Sequence, residues 1–206
     1  MIEATKVLER KLRHETTGGA GTDGSGGASA AGSTGQSAGP DNLAWRIRRP
    51  AACPWPFKAE DTSPLAWWRR LPPDAFRDAE RLLLCTTLER ISVLPSGEDF
   101  TAALRGDAAA AMDVAFSLMP VEQMTLQADI AMTALLRCAL QPNAAAALVL
   151  AQVLGLTNLA HPFATELAAS WFAHGQRHSA DPRKFSQAET TLLAAFRERE
   201  RKGDGA

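Results

Sequence analysis

Tyrosine is absent from this sequence, and cysteine and net charge are scarce: three cysteines and a formal charge of −1 in 206 residues. The missing tyrosine, beside abundant Ala, Arg, Pro and Trp, points to a GC-rich coding bias and says nothing of function. A charge near zero excludes an overall field drawing the chain to nucleic acid or an anionic membrane, and leaves only local patches to do so. Cys53, Cys85 and Cys138 are odd in number and widely spaced. Reduced thiols in a cytoplasmic protein are the expectation, not a disulfide framework.

Long apolar runs are also lacking. The best, Ala144–Leu156, is too short for a bilayer core of about 30 Å, and Pro142, Asn143 and Asn158 bound it. It reads as a buried helix, and no membrane span is expected. The first residues, MIEATKVLERKLRHE, carry charges throughout and hold no apolar stretch of secretory type. No segment alternates with period two over strand length. Catalytic signatures are missing as well: no G-x-S-x-G, and no phosphate loop, since GGAGTDGSGG lacks a Lys-Ser/Thr end. Glu98 and Asp99 are adjacent and do not face each other on a helix; they favour a helix N-terminus. No cofactor is implied.

What is present divides the chain into three. Residues 1–15 form an amphipathic peptide whose Leu8 and Leu12 are i,i+4 neighbours, with Val7 beside them. A helix over 3–14 is marginal alone in water. Residues 16–40 hold nine of fifteen glycines and nothing apolar larger than alanine, which predicts a flexible linker with a reach of roughly 25–30 Å. Residues 41–206 are the helical domain, beginning with a strap at 41–73 that carries six of twelve prolines and four of five tryptophans. Proline favours extended backbone, with one helical turn expected near Leu65–Arg70.

From Pro73 the spacing is helical. Leu84, Leu88 and Ile91 mark one helix, with Leu83 and Thr87 alongside. Glu98–Leu104 is a short one. Asp107 caps a helix to Met119, and Pro120 starts another whose buried stripe runs Val121, Met124, Ala128, Ala131, Leu135, Ala139. Asn143 caps Ala144–Leu154. Pro162 starts a helix that Gly175 is expected to end, and Ser186–Glu189 reads as a capping box before the last helix. The fold class is therefore all-α: a single domain of about six antiparallel helices. An echo at 36 residues, GDAAAAMDVAFSLMP from Gly106 and PNAAAALVLAQVLGL from Pro142, is either a pair of helix-hairpin repeats or chance in an Ala-rich chain. Only seven charges lie between Thr101 and Gly175 and none between Cys138 and Thr165, so these helices are covered on several sides.

Candidate sites follow. His174 and His178 stand four apart, as metal ligands on one helical turn do. With Gly175 ending the helix between them and no cysteine near, the expectation is no metal, and cationic groups at a helix C-terminus instead. Trp45, Arg46, Arg48, Arg49, Trp67 and Trp68 mix arginine with indoles. They could serve a partner or stack on single-stranded nucleic acid, although tryptophans in a strap commonly pack on a core. Val7, Leu8 and Leu12 would enter a partner groove. The expected function is a non-catalytic adaptor or assembly/chaperone-like protein that docks a protein partner through the tethered peptide and a helical surface. The alternatives are a small all-α enzyme or cofactor-binding bundle with a site between helices, and single-stranded nucleic-acid binding through the Trp/Arg strap.

Overall fold

Proline and tryptophan organise the first of the described residues. The computed structural model describes residues 54–91, 97–121 and 123–203. Residues 1–15, 16–40 and the first part of the strap, with Val7, Leu8, Leu12, Trp45, Arg46, Arg48 and Arg49, lie outside them. Pro64 opens a 3-10 turn, Pro64–Arg69, that seats Trp67 and Trp68. A second short turn, Pro73–Ala75, follows. Every described indole N–H has an acceptor. Trp55 donates to the Arg70 carbonyl at 2.7 Å, Trp67 to Thr62 at 2.9 Å, Trp68 to Asp129 Oδ1 at 2.8 Å, and Trp171 to Leu71 at 3.1 Å. Arg69 grips the same Asp129 carboxylate with Nε and Nη2, at 3.1 and 3.2 Å. The strap is thereby sewn to the helices, and its large rings bury the apolar area that a loop otherwise lacks.

Seven α-helices and no strand occur among the described residues: α1 Asp78–Arg90, α2 Glu98–Leu104, α3 Ala108–Ser117, α4 Leu126–Leu140, α5 Ala144–Leu156, α6 Ala164–His178 and α7 Pro182–Gly203. Side-chain caps set the starts of α3, α4 and α5. Asp107 accepts from Ala110 N–H at 3.0 Å, Thr125 from Ala128 at 3.1 Å and Asn143 from Ala146 at 3.0 Å. Each side chain thus satisfies one of the orphan donors of a first turn. Gly106, at φ +96° between α2 and α3, adopts a geometry that favours glycine, with the Arg137 guanidinium packed beside it.

Helix α5 is the axle. All eleven residues from Ala144 to Leu154 are buried, and α3, α4, α6 and α7 all contact it. That is the physical meaning of a helix without charge: every side faces protein. The pairing of α5 with α6 is the most extensive. Gly155 of α5 meets Ala168 near the start of α6, while Gly175 near its end meets Ala144 and Ala147. The two helices therefore run antiparallel, with small residues at both ends of the contact. Helix α7 closes the bundle with Phe185, Leu192 and Phe196. Phe196 stacks on Phe116 at 4.3 Å between ring centroids, and Arg199 donates to the Ser117 carbonyl at the end of α3.

Four local expectations are corrected. Gly175 does not end α6, which continues to His178; the glycine serves close approach, since a Cβ there would stand 3.2 Å from the Ala144 carbonyl and 3.1 Å from the Phe185 ring. Pro120 starts no helix, and α4 waits for the Thr125 cap. Pro162 likewise precedes the helix, which begins at Ala164. Ser186–Glu189 is not a helix start but lies inside α7. One turn earlier Asp181 accepts from Arg183 and Lys184 N–H at 2.9 and 3.3 Å, with Pro182 as the first helical residue. The 36-residue echo falls on two packed helix pairs, α3–α4 and α5–α6, whose caps Asp107 and Asn143 keep that offset. No helix among the described residues is long and apolar enough to cross a membrane.

Candidate functional site

Three successive leucines cannot share one face of a helix that turns about 100° per residue. In α1 the core takes Leu84 and Leu88, each 1% exposed. Leu82 and Leu83 are left 69% and 49% exposed on the opposite side. Ala79, Leu82, Leu83 and Thr86 stand at i, i+3, i+4 and i+7, a continuous strip over two turns. The Thr86 and Thr87 hydroxyls donate to the Leu82 and Leu83 carbonyls at 2.9 and 2.7 Å, so these polar groups are satisfied by the helix itself. Asp78 and Glu89, both exposed, border the strip on one side and Glu80 on the other. Glu80 Oε2 also accepts from Arg77 N–H at 2.9 Å and anchors the first turn. Scattered exposed leucines are ordinary, but two adjacent ones with Ala79 a turn before and the satisfied Thr86 a turn after form a patch of the kind that contacts another helix. The sequence reading missed this strip by placing Leu83 alongside the buried face. The available signal was the LLL run itself.

The residues singled out from the sequence go elsewhere. Trp67 and Trp68 are 1% and 0% exposed; they are core side chains, and neither presents an indole face for a partner or a base. Arg69 is held by Asp129, and Arg70 lies over the Phe57 ring at 5.2 Å. Phe57 in turn joins Trp55, His161 and Phe163 in an aromatic cluster that pins the strap to the α5–α6 connection. His161 accepts the Phe163 N–H at Nδ1, which leaves Nε2 to donate to the Arg69 carbonyl at 2.9 Å.

His174 and His178 do come together, on one intact turn of α6, with ring centroids 4.5 Å apart. His174 is buried against Trp171, and its Nε2 has no hydrogen-bond partner. Burial holds its pKa below the ordinary histidine value; the nearby His178, Arg177 and Arg81 charges push the same way, and the Ala139 backbone opposes them. A cation there would meet two arginines, and no cluster of three His, Cys, Asp or Glu able to hold a metal occurs among the described residues. Arg81 itself donates to the Leu140 carbonyl at 3.1 Å and caps the end of α4.

An open cleft of about 860 Å³ lies over α2 and the turn before α3. Its ionisable lining is Glu98, Arg105 and Asp107, a mixed set without a histidine or cysteine to act as base or nucleophile. Cys138 is free and buried, donates toward the Gly106 carbonyl, and burial raises its thiol pKa to about 11, which keeps it protonated and inert. No family model, no curated protein and no solved structure matches this chain.

Proposed function

We propose that this protein is a non-catalytic interaction protein, of adaptor or assembly/chaperone-like type, that holds a protein partner on the outer face of α1. The observation that carries the reading is the Leu82–Leu83 strip, turned away from the core, flanked by the carboxylates of Asp78, Glu80 and Glu89 and closed at its C-terminal end by Arg90. Its chemistry suits an amphipathic helix with an apolar stripe anchored at i, i+3 or i+4 spacing. The segment 1–15 would make the second contact, in a groove of the partner, and the 16–40 linker would raise the effective concentration of that contact. The cytoplasm is the compartment this reading favours, supported by the free thiols of Cys85 and Cys138.

The test is a quantitative affinity capture from cell extract with the intact chain, set beside the Leu82→Glu/Leu83→Glu double variant. Proteins bound by the first and lost from the second, at equal folded fraction by circular dichroism, are the expected result. Identical bound sets for both chains would remove the reading.

A further inference from the structure

Two side chains attach the root of α1 to the domain. Phe76, just before the Arg77 cap, is buried and meets the Trp67 and Trp171 rings at 5.8 and 6.1 Å between centroids. Arg81, at the end of the first turn, donates through Nη1 to the Leu140 carbonyl at 3.1 Å and reaches the Phe76 carbonyl through Nε at 3.5 Å. His174 stands at this joint. Its ring meets Trp171 edge to face at 5.5 Å and lies by the Ala139 backbone, next to the carbonyl that Arg81 holds. The residue is 9% exposed, and its Nε2 is buried without a hydrogen-bond partner. In the charged ring both nitrogens carry a proton, and the one on Nε2 would have neither water nor an acceptor.

The charges acting on His174 are of one sign: His178 and Arg177 on its own helix and Arg81 on α1. Helix α4 brings the Ala139 backbone, its Arg137 being turned to the Leu104 carbonyl. Helix α5 has no charged side chain, Asp74 of the Pro73–Ala75 turn is exposed, and α7 reaches this end of α6 with the Phe185 ring. Helix α1 itself is backed by α4 and the Pro64–Arg69 turn. An element held on so few sides is of the kind that opens before the whole molecule does.

We infer that His174 is a proton-sensitive latch at the root of α1: when its ring takes up a proton, the Phe76–Arg81 joint opens and α1 leaves the end of α4 while the helices around α5 stay packed. Burial sets the sign. Closed, the ring is held below the ordinary histidine value of about 6.5, by burial first and then by the three cations. Open, it stands in water and Arg81 has moved away. The closed form is therefore fully favoured above that pH. As the pH falls towards the lowered value of the closed ring, the open form takes up the proton and gains population, by at most about tenfold per pH unit. The latch does not depend on what Leu82 and Leu83 contact; in acid it withdraws the helix that carries them.

Native-state hydrogen exchange tests this in the full-length chain at pH 7.5 and 5.5, corrected for the intrinsic pH dependence of amide exchange and repeated at low denaturant concentrations. Protection over residues 78–90 should fall about three- to tenfold at the lower pH. Its denaturant slope should stay well below that of residues 144–154, because a local opening exposes less surface than global unfolding. His174→Gln, neutral at both pH values, should abolish the fall. Protection over 78–90 that does not change with pH in the wild type would overturn the inference. So would a slope equal to that of 144–154, which means that α1 opens only with the whole molecule, and so would a fall that persists in His174→Gln, which assigns it to another group. The wild-type comparison of the two helices decides the matter by itself if the variant fails to fold.

Discussion

Helices α5 and α1 are of equal length, thirteen residues each, and both are rich in leucine, yet they stand in opposite relations to the rest of the molecule. Helix α5 has no charged side chain and buries everything from Ala144 to Leu154. Helix α1 carries Asp78, Glu80, Arg81, Glu89 and Arg90, and commits only Leu84 and Leu88 to the core. The count of leucines does not decide burial; the number of elements packed around the helix does. Four helices surround α5, whereas α1 is backed by α4 and the Pro64–Arg69 turn. From Ala144 to Leu154 an apolar residue on any side of α5 finds protein, whereas Leu82 and Leu83 on the outer side of α1 find water. That contrast leaves α1 with two adjacent exposed leucines, beside the singly exposed Leu126 of α4 and Leu156 at the end of α5 among the described residues.

The contrast can be broken at either end. Leu150→Ala, at a position 0% exposed in α5, should cost about 2–5 kcal/mol in denaturant unfolding, because a cavity opens where no helix can collapse into it. Gly175→Ala comes next. Alanine is the better helix former by about 1 kcal/mol, but its methyl would press on the Ala144 carbonyl, on Ala147 and on Phe185. A net loss of about 1–2 kcal/mol is expected, and a gain in melting temperature would show that α5 and α6 can separate slightly at no cost.

A smaller effect is tied to pH. Folding holds the His174 pKa below its ordinary value, chiefly by burial. The unfolded chain therefore takes up a proton near pH 6.5 that the folded one refuses. Stability contributed by this site is intact above that pH and declines as the pH falls through the interval down to the folded pKa. His174→Gln should flatten that decline in unfolding midpoints measured between pH 7.5 and 5 (roughly the histidine range). The smallest effect is at α1: Leu82→Glu should change stability by no more than about 0.5 kcal/mol, the usual range for an exposed site. A loss comparable to that of Leu150→Ala would place Leu82 in a core and end the contrast.

Much of this fold is written in short-range signals. Asp107 and Asn143 cap the helices that follow them, and the Pro64 turn sits where a helical turn was expected, because such signals depend on neighbouring backbone donors and fixed φ angles alone. The errors arose where a distant contact overrode a local cue. Gly175 reads as a helix end until α5 and Phe185 are seen against it. Ser186–Glu189 has the pattern of a capping box, but Asp181-Pro182 supplies a competent start one turn earlier. Pro120 suits a first helical turn, yet the chain first travels to Thr125. The site was less legible than the fold. Trp67 and Trp68 drew attention as aromatic residues beside arginines, but their indoles reach Thr62 and Asp129 and close the core. The strip on α1 was hidden in a run of leucines that only a knowledge of which faces are covered divides into inside and outside.

On the proposed function, Leu82 and Leu83 face a partner rather than the fold. The most direct measurement is the dissociation constant of the captured partner for the wild type and for Leu82→Glu/Leu83→Glu, at matched folded fraction. Binding weaker by at least about tenfold, roughly 1.4 kcal/mol, with an unfolding midpoint left in place, is what the account predicts. Equal affinity in the two chains would contradict it.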